Sequence, residues 1–244
     1  MGFACFASFF FKKMMILISF LFLFQVCLAE IWIPHVFDRS YNPTFDVGVI
    51  IMQGAGIKPG EYEGLALAIQ SQFDHPVMIG IPESLFDVPL AFLGASNKIK
   101  DIKKQMMKEG LTEDAKIFLI GHSLGGLAVQ DFVASHSDFA DGLILMGSTI
   151  LRKYALESDL SLPILSLNGE MDAQFKPTRS AEAFYHHALS RSEEQWIRRS
   201  IIIVPGLNHM GPARSSNSPP LVRKNDLRPF VIMMCSFHEV GFGI

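Results

Sequence analysis

The chain reads as an α/β protein of three layers: a mostly parallel sheet of about six strands with helices on both faces. Three observations predict this. From residue 47 onward, short apolar runs alternate with segments of helical period, the pattern of strands linked through helices. Those apolar runs lack the in-and-out alternation of a half-exposed sheet, so their strands are covered on both sides. Finally, 244 residues, 49% of them apolar, suffice for one sizeable core.

The elements follow in order. Residues 47–52 read as a strand that ends at Gln53-Gly54-Ala55-Gly56. Residues 59–73 read as a helix with Leu65, Ala66, Ile69 and Phe73 on one face, and 77–81 as a second strand. A helix over 95–110 spaces Ile99, Ile102 and Met106 for burial and stops at Gly110. Residues 116–120 form a third strand, and 124–135 a helix carrying Leu127, Ala128 and Phe132. The fourth and fifth strands are 142–146 and 163–167, and the short stretch between them leaves no room for a large cap domain. Residues 177–190 form a helix with Ala181, Phe184, Tyr185 and Ala188 on one face, and 200–204 a sixth strand.

The first 29 residues stand apart. Lys12 and Lys13 precede a run from Met14 to Ala29 that is apolar except for Ser19 and Gln25. The small residues of Cys27-Leu28-Ala29 suit a signal peptidase, so residues 1–29 are expected to be a secretory signal. The run is short of the ~20 residues of a membrane span; an uncleaved anchor is the alternative. The domain then covers 30–244, with an atypical end from about residue 230. Cys5 and Cys27 lie in the leader, which leaves Cys235 without an internal partner.

Composition excludes several function classes. Formal net charge is −3, with both signs interspersed, so no basic stripe points to nucleic acid. The sequence shows no metal-ligand cluster, phosphate loop or dinucleotide fingerprint, and no cofactor is expected. Gly54-Ala55-Gly56 lacks the third glycine of a nucleotide-binding turn.

In a doubly wound sheet the ligand crevice lies beyond the carboxyl ends of the strands, so the loops after the strands carry the functional search. The stretch "FLIGHSLGG", residues 118–126, ends an apolar strand on Ser123 between Gly121 and Gly125. Glycines two positions either side leave space for a sharp strand-to-helix turn that presents one hydroxyl above the sheet, at the amino end of the next helix. G-x-S-x-G alone arises by chance about once in ten chains of this length; the flanking strand and helix make it informative. After the fifth strand comes Asn168-Gly169-Glu170-Met171-Asp172, where an acid can hold a histidine in its useful tautomer. Asp172 is the first choice, Glu170 the alternative and Asp159 a distant third. After the sixth strand, Gly206-Leu207-Asn208-His209 offers the one histidine of eight that follows a late strand. His122 is too near Ser123 to act as its base and is expected to pack beside the turn. The leucines and phenylalanines of residues 82–93 either wall an acyl pocket or pack onto the sheet.

From about residue 47 to 210 the sequence resembles the α/β-hydrolase family, through the Gly121-His122-Ser123-Leu124-Gly125 elbow and the Ser…Asp…His order. The resemblance implies that fold, with Ser123 as nucleophile, Asp172 as acid and His209 as base. It also implies an oxyanion hole from the backbone N–H of Leu124 and, in the loop after the first strand, of Ala55. There Gln53-Gly54 stands where the family more usually has His-Gly. Family members usually open with two further strands, for which only residues 31–37 supply a candidate. They close with a helix, whereas the tail from Phe230 is apolar but not clearly amphipathic.

The expected function is a serine hydrolase of carboxylic esters or related acyl compounds, acting on a small-molecule ester or lipid. An acyltransferase, or a catalytically silent binding protein on the same scaffold, are the alternatives. Membrane contact is expected only through residues 1–29 if these stay uncleaved. The expected location is secreted or in the lumen of the endomembrane system. Amino-terminal sequencing of secreted protein should begin near Glu30; retention of Met1 on membrane-bound protein would favour the anchor.

Overall fold

A computed structural model describes residues 29–32, 44–73, 75–90, 93–155, 160–190 and 198–213, without side chains at 29–32, 155 and 186–190. The apolar tail, Cys235, Asp159 and most of the leader lie outside the described residues. The strands are β1 (Ala29–Trp32), β2 (Phe45–Met52), β3 (Val77–Pro82), β4 (Leu111–His122), β5 (Gly142–Met146), β6 (Ile164–Gly169) and β7 (Arg199–Val204). The helices are α1 (Glu63–Gln70), α2 (Ala95–Lys108), α3 (Leu124–Ser135), α4 (Arg152–Ala155) and α5 (Pro177–Ser190).

All seven strands join one sheet in the order β1-β3-β2-β4-β5-β6-β7. Strands β2 to β7 are parallel, as the alternation of strands and helices predicts. β1 pairs antiparallel with β3, from Ala29 opposite Pro82 to Trp32 opposite Ile79. It covers the edge that β3 would otherwise leave open. The extra strand overlaps the candidate 31–37 at Ile31 and Trp32 and begins two residues earlier; residues 33–37 lie outside the described residues.

Successive residues along each central strand enter opposite layers. Ile50, Met52, Ile117, Leu119, Leu143 and Leu145 pack with Ile99, Ile102 and Met106 of α2 and with Val129, Phe132 and Val133 of α3. Val49, Ile51, Phe118, Ile120, Ile144 and Met146 face the other layer, with Leu65, Ala66 and Ile69 of α1. This division explains the unbroken apolar runs.

Two boundaries depart from the sequence reading for physical reasons. β4 starts at Leu111 rather than 116 because Leu111 pairs with Phe45, ahead of a register shift after which Lys116 pairs with Val47, while Glu113 and Asp114 between them are exposed. The helix expected over 59–73 is a 3₁₀ turn, Pro59–Tyr62, followed by α1. Tyr62, at φ −95° and ψ 2°, interrupts the helical run, in the bridge region of backbone space.

The chain leaves β2 toward β3 on one side and then crosses to β4 on the other. The crevice of such a sheet opens at this reversal of strand order. Pairing register levels the strand ends there: Met52 lies beside Gly121, and His122 beside Met146. The loops that start at Gln53, Ser123 and Gly147 therefore emerge side by side.

Candidate active site

Ser123 sits between the end of β4 and the first residue of α3 at φ 51° and ψ −116°. A non-glycine residue with positive φ costs about 1–3 kcal/mol and needs its surroundings to hold it. Here the turn is too tight for side chains on its flanks. A Cβ at Gly121 would lie 2.6 Å from the Cα of Gly126, and one at Gly125 would lie 2.6 Å from the Gln53 carbonyl oxygen. The Ser123 amide donates to the Met146 carbonyl at 2.8 Å, which ties the turn to β5. The hydroxyl stands at the amino end of α3, where the helix dipole is positive.

The loop after β7 brings His209 to this hydroxyl, and the loop after β6 brings Asp172 to His209. His209 Nε2 lies 2.9 Å from Ser123 Oγ, and Nδ1 lies 2.7 Å from Asp172 Oδ2. The carboxylate only accepts, so Nδ1 carries the proton and donates to it. Nε2 then offers a lone pair to the serine O–H, the tautomer a general base requires. Asp172 Oδ1 accepts the amides of Gln174 at 2.9 Å and Phe175 at 2.6 Å. Its buried charge is thereby held by backbone hydrogen bonds and the imidazole. Glu170, the alternative acid, accepts the Gly206 amide at 3.1 Å and supports that turn instead.

Two amides of the loops beside Ser123 have no protein acceptor. Among the described residues neither the Ala55 nor the Leu124 N–H is engaged, whereas the Gly54 amide donates to the Tyr62 hydroxyl at 2.8 Å. Gln53 is fully buried; its side chain lies 3.3 Å from the Ser84 hydroxyl.

His122 is fully buried beside the turn, as expected, but it is also hydrogen-bonded at both ring nitrogens. Nδ1 lies 2.7 Å from the Tyr62 hydroxyl and Nε2 lies 2.8 Å from the His209 carbonyl oxygen. Burial pushes its pKa from 6.5 down to about 4, while the His209 carbonyl and the charge of Asp172 pull weakly the other way. Burial likewise raises the Tyr62 phenol above its usual range, so both groups stay neutral around pH 7.

A cavity of about 690 Å³ opens over Ser123 and His209. Its apolar wall comes from Leu124, Leu127, Ile150, Leu151, Phe175 and Ala183. Residues 82–90 and Leu93 are not on this wall; Phe86 is 81% exposed, and Ala91 and Phe92 lie outside the described residues. The wall instead comes from the first two turns of α3, the loops after β5 and β6, and α5. Arg152 and Arg179 bring positive charge to it; Arg152 pairs with Glu182, while Arg179 has no ion-pair partner among the described residues. Buried amides brace these loops. Gln130 donates to the carbonyls of Gly126 and Thr149 and accepts from the Leu151 amide. Asn168 accepts from the Ser148 amide and donates to Ser180. No group of histidine, cysteine and carboxylate side chains among the described residues could hold a metal ion.

Tyr62, Gln130 and Asn168 escape sequence reading because each has a partner at least 12 residues away, up to 60 for Tyr62. An amide within an apolar helix or at an apolar strand end was the only signal for Gln130 and Asn168.

The neutral state of His122 predicts a pH dependence of stability. In the folded chain its pKa of about 4 lies below the unfolded value of 6.5, so the unfolded state binds more protons between those values. This contribution is complete above about pH 6.5 and declines as pH falls toward 4, by about 2 kcal/mol at pH 5. Tyr62, His209 and Asp172 are the titratable groups facing the ring. Urea unfolding at pH 7.5 and pH 5 is expected to show this loss in the wild type and not in His122→Gln.

The alpha/beta hydrolase family model matches residues 48–211. No curated protein sequence gives a significant match. Among solved structures, Est1E from Butyrivibrio proteoclasticus aligns with a TM-score of 0.56 at 13% identity, over 86% of this chain and 93% of its own. A thermophilic esterase from Thermogutta terrifontis aligns with a TM-score of 0.58 at 11% identity, over 87% and 93%. A serine hydrolase involved in carbazole degradation, CarC, aligns with a TM-score of 0.53 at 13% identity, over 81% and 92%. At these identities the structural likeness speaks for the fold; together with the family match over most of the described sheet, it shows that the chain belongs to the alpha/beta hydrolase family.

Proposed function

We propose that the protein hydrolyses carboxylic esters through an acyl-enzyme on Ser123. The observation that carries this reading is the continuous hydrogen-bonded line from Ser123 Oγ through His209 to Asp172, with distances of 2.9 and 2.7 Å. His209 Nε2 takes the hydroxyl proton as Oγ attacks the ester carbonyl. Asp172 stabilises the resulting imidazolium, and the Ala55 and Leu124 amides receive the oxyanion. The imidazolium then protonates the leaving alkoxide, and water attacks the acyl-enzyme with His209 again as base. A paired serine, histidine and aspartate favour a working hydrolase over a silent scaffold. The apolar wall beside Ser123 suits an acyl chain.

Ser123→Ala should abolish labelling by a fluorophosphonate probe and lower ester turnover by ~10⁴-fold or more. Undiminished labelling of that variant would place the nucleophile elsewhere.

Arg179, on the cavity wall and without an ion-pair partner among the described residues, generates a second expectation. An ester whose acyl chain ends in a carboxylate should show a higher kcat/KM than its methyl-ended counterpart, by about 2- to 5-fold, the worth of an exposed ion pair. Arg179→Ala should remove the difference, and 1 M salt should shrink it. Equal preference in wild type and variant would separate the guanidinium from substrate choice.

A further inference from the structure

The buried histidine before the nucleophile belongs to a chain of groups that fixes its own proton order. The His209 carbonyl can only accept, so His122 Nε2, at 2.8 Å, must carry a hydrogen. A neutral imidazole then has a bare Nδ1, and the Tyr62 hydroxyl at 2.7 Å must donate to it. The Tyr62 oxygen in turn accepts the Gly54 amide at 2.8 Å. Every link is determined: Gly54 N–H to Tyr62 oxygen, Tyr62 O–H to His122 Nδ1, His122 Nε2–H to the His209 carbonyl.

The ends of this chain matter. Gly54 immediately precedes Ala55, the residue to which the second oxyanion donor is assigned. The His209 carbonyl belongs to the same residue as the general base, whose ring lies 5.2 Å from the His122 ring, centroid to centroid. His122 itself immediately precedes Ser123. Three loops from β2, β4 and β7, far apart in sequence, are therefore referenced to one imidazole. Tyr62 and His122 are both fully buried, where unmade hydrogen bonds are costly and made ones are strong.

We propose that Tyr62 and His122 are a positioning pair, which sets the Ala55 amide and the His209 imidazole relative to the Ser123 hydroxyl. Neither touches the substrate cavity. Consuming the Gly54 amide also leaves the Ala55 amide as the available donor of that loop, and it keeps the loop from turning a different N–H toward the oxyanion. This inference rests on the hydrolase reading of Ser123, His209 and Asp172.

Tyr62→Phe is the first test, because it keeps the ring and removes one oxygen. It should lower kcat by about 10- to 100-fold, the effect of a small misplacement of reacting groups, with KM within about threefold. Fluorophosphonate labelling should slow in proportion. At His122, glutamine can still donate to the His209 carbonyl, so His122→Gln should retain more kcat than His122→Leu. A packing role alone would lower the Tm of these variants and leave kcat per folded molecule unchanged, which would overturn the proposal. Long-range ¹H–¹⁵N spectra of the full chain give a readout that needs no turnover. They should show His122 as the Nε2–H tautomer at pH 7. In Tyr62→Phe the Gly54 amide and both histidine rings should shift. An Nδ1–H tautomer, or unmoved Gly54 and His209 signals, would overturn the proposal even if no ester is turned over. Absence of ester turnover and of labelling in the wild type would instead overturn the hydrolase reading and leave the spectra to decide the pair.

Discussion

The constraint on which this structure turns is the backbone of one serine. At φ 51° and ψ −116°, Ser123 occupies a region that a side chain makes costly, by about 1–3 kcal/mol. Its surroundings leave it no relaxed alternative. β4 delivers the chain into the turn in register with β2 and β5, and α3 leaves at once with Val129 and Phe132 locked in the core. The flanks close so tightly that Gly121 and Gly125 have no room for a Cβ. The strain presents the hydroxyl, and the rigid sheet sustains the strain.

Around that point the site is built from polar groups with their partners already in place. Asp172 accepts two backbone amides as well as the imidazole. His122 is saturated at both nitrogens, and Gln130 and Asn168 bind loop amides and carbonyls that would otherwise be buried without partners. In a low-dielectric interior such bonds are strong and their absence is expensive, so the loops around Ser123 hold one arrangement. Among the described residues the Ala55 and Leu124 amides have no protein acceptor.

The cavity shows how the sheet divides labour. The strands set Ser123, Asp172 and His209 through their common register, while the start of α3, the connections after β5 and β6 and α5 supply the walls. Between β5 and β6 the described chain forms only a four-residue helix, so the approach to Ser123 is bounded by short loops rather than an inserted domain. The apolar surface from Leu127, Ile150 and Phe175 and the guanidinium of Arg179 share one wall.

Much of this was legible along the chain. Residues 124–135 and 142–146 coincide with α3 and β5 as observed, because unbroken apolar runs and helical spacing record burial directly; 177–190 coincides with α5 in extent, but Ala181, Phe184 and Tyr185 of the face read from its spacing are exposed while Ser180 and Ala183 are buried. Ser123, Asp172 and His209 were legible because a parallel sheet delivers its loops to one edge, so their place after successive strands already implied a meeting. Residues 31–37 offered a strand candidate that overlaps β1, but its antiparallel pairing depends on the edge of β3 rather than on its own pattern; local spacing was silent on the polar first half of β4. It was equally silent on the cavity wall: residues 82–93 are apolar enough for one, but only packing determines which loops face Ser123. The order of Ser123, Asp172 and His209 follows from chain connectivity, which sequence contains in full. The hydrogen bonds from Tyr62 through His122 to the His209 carbonyl depend on distances between elements remote in sequence, and these exist only once the layers have closed on one another.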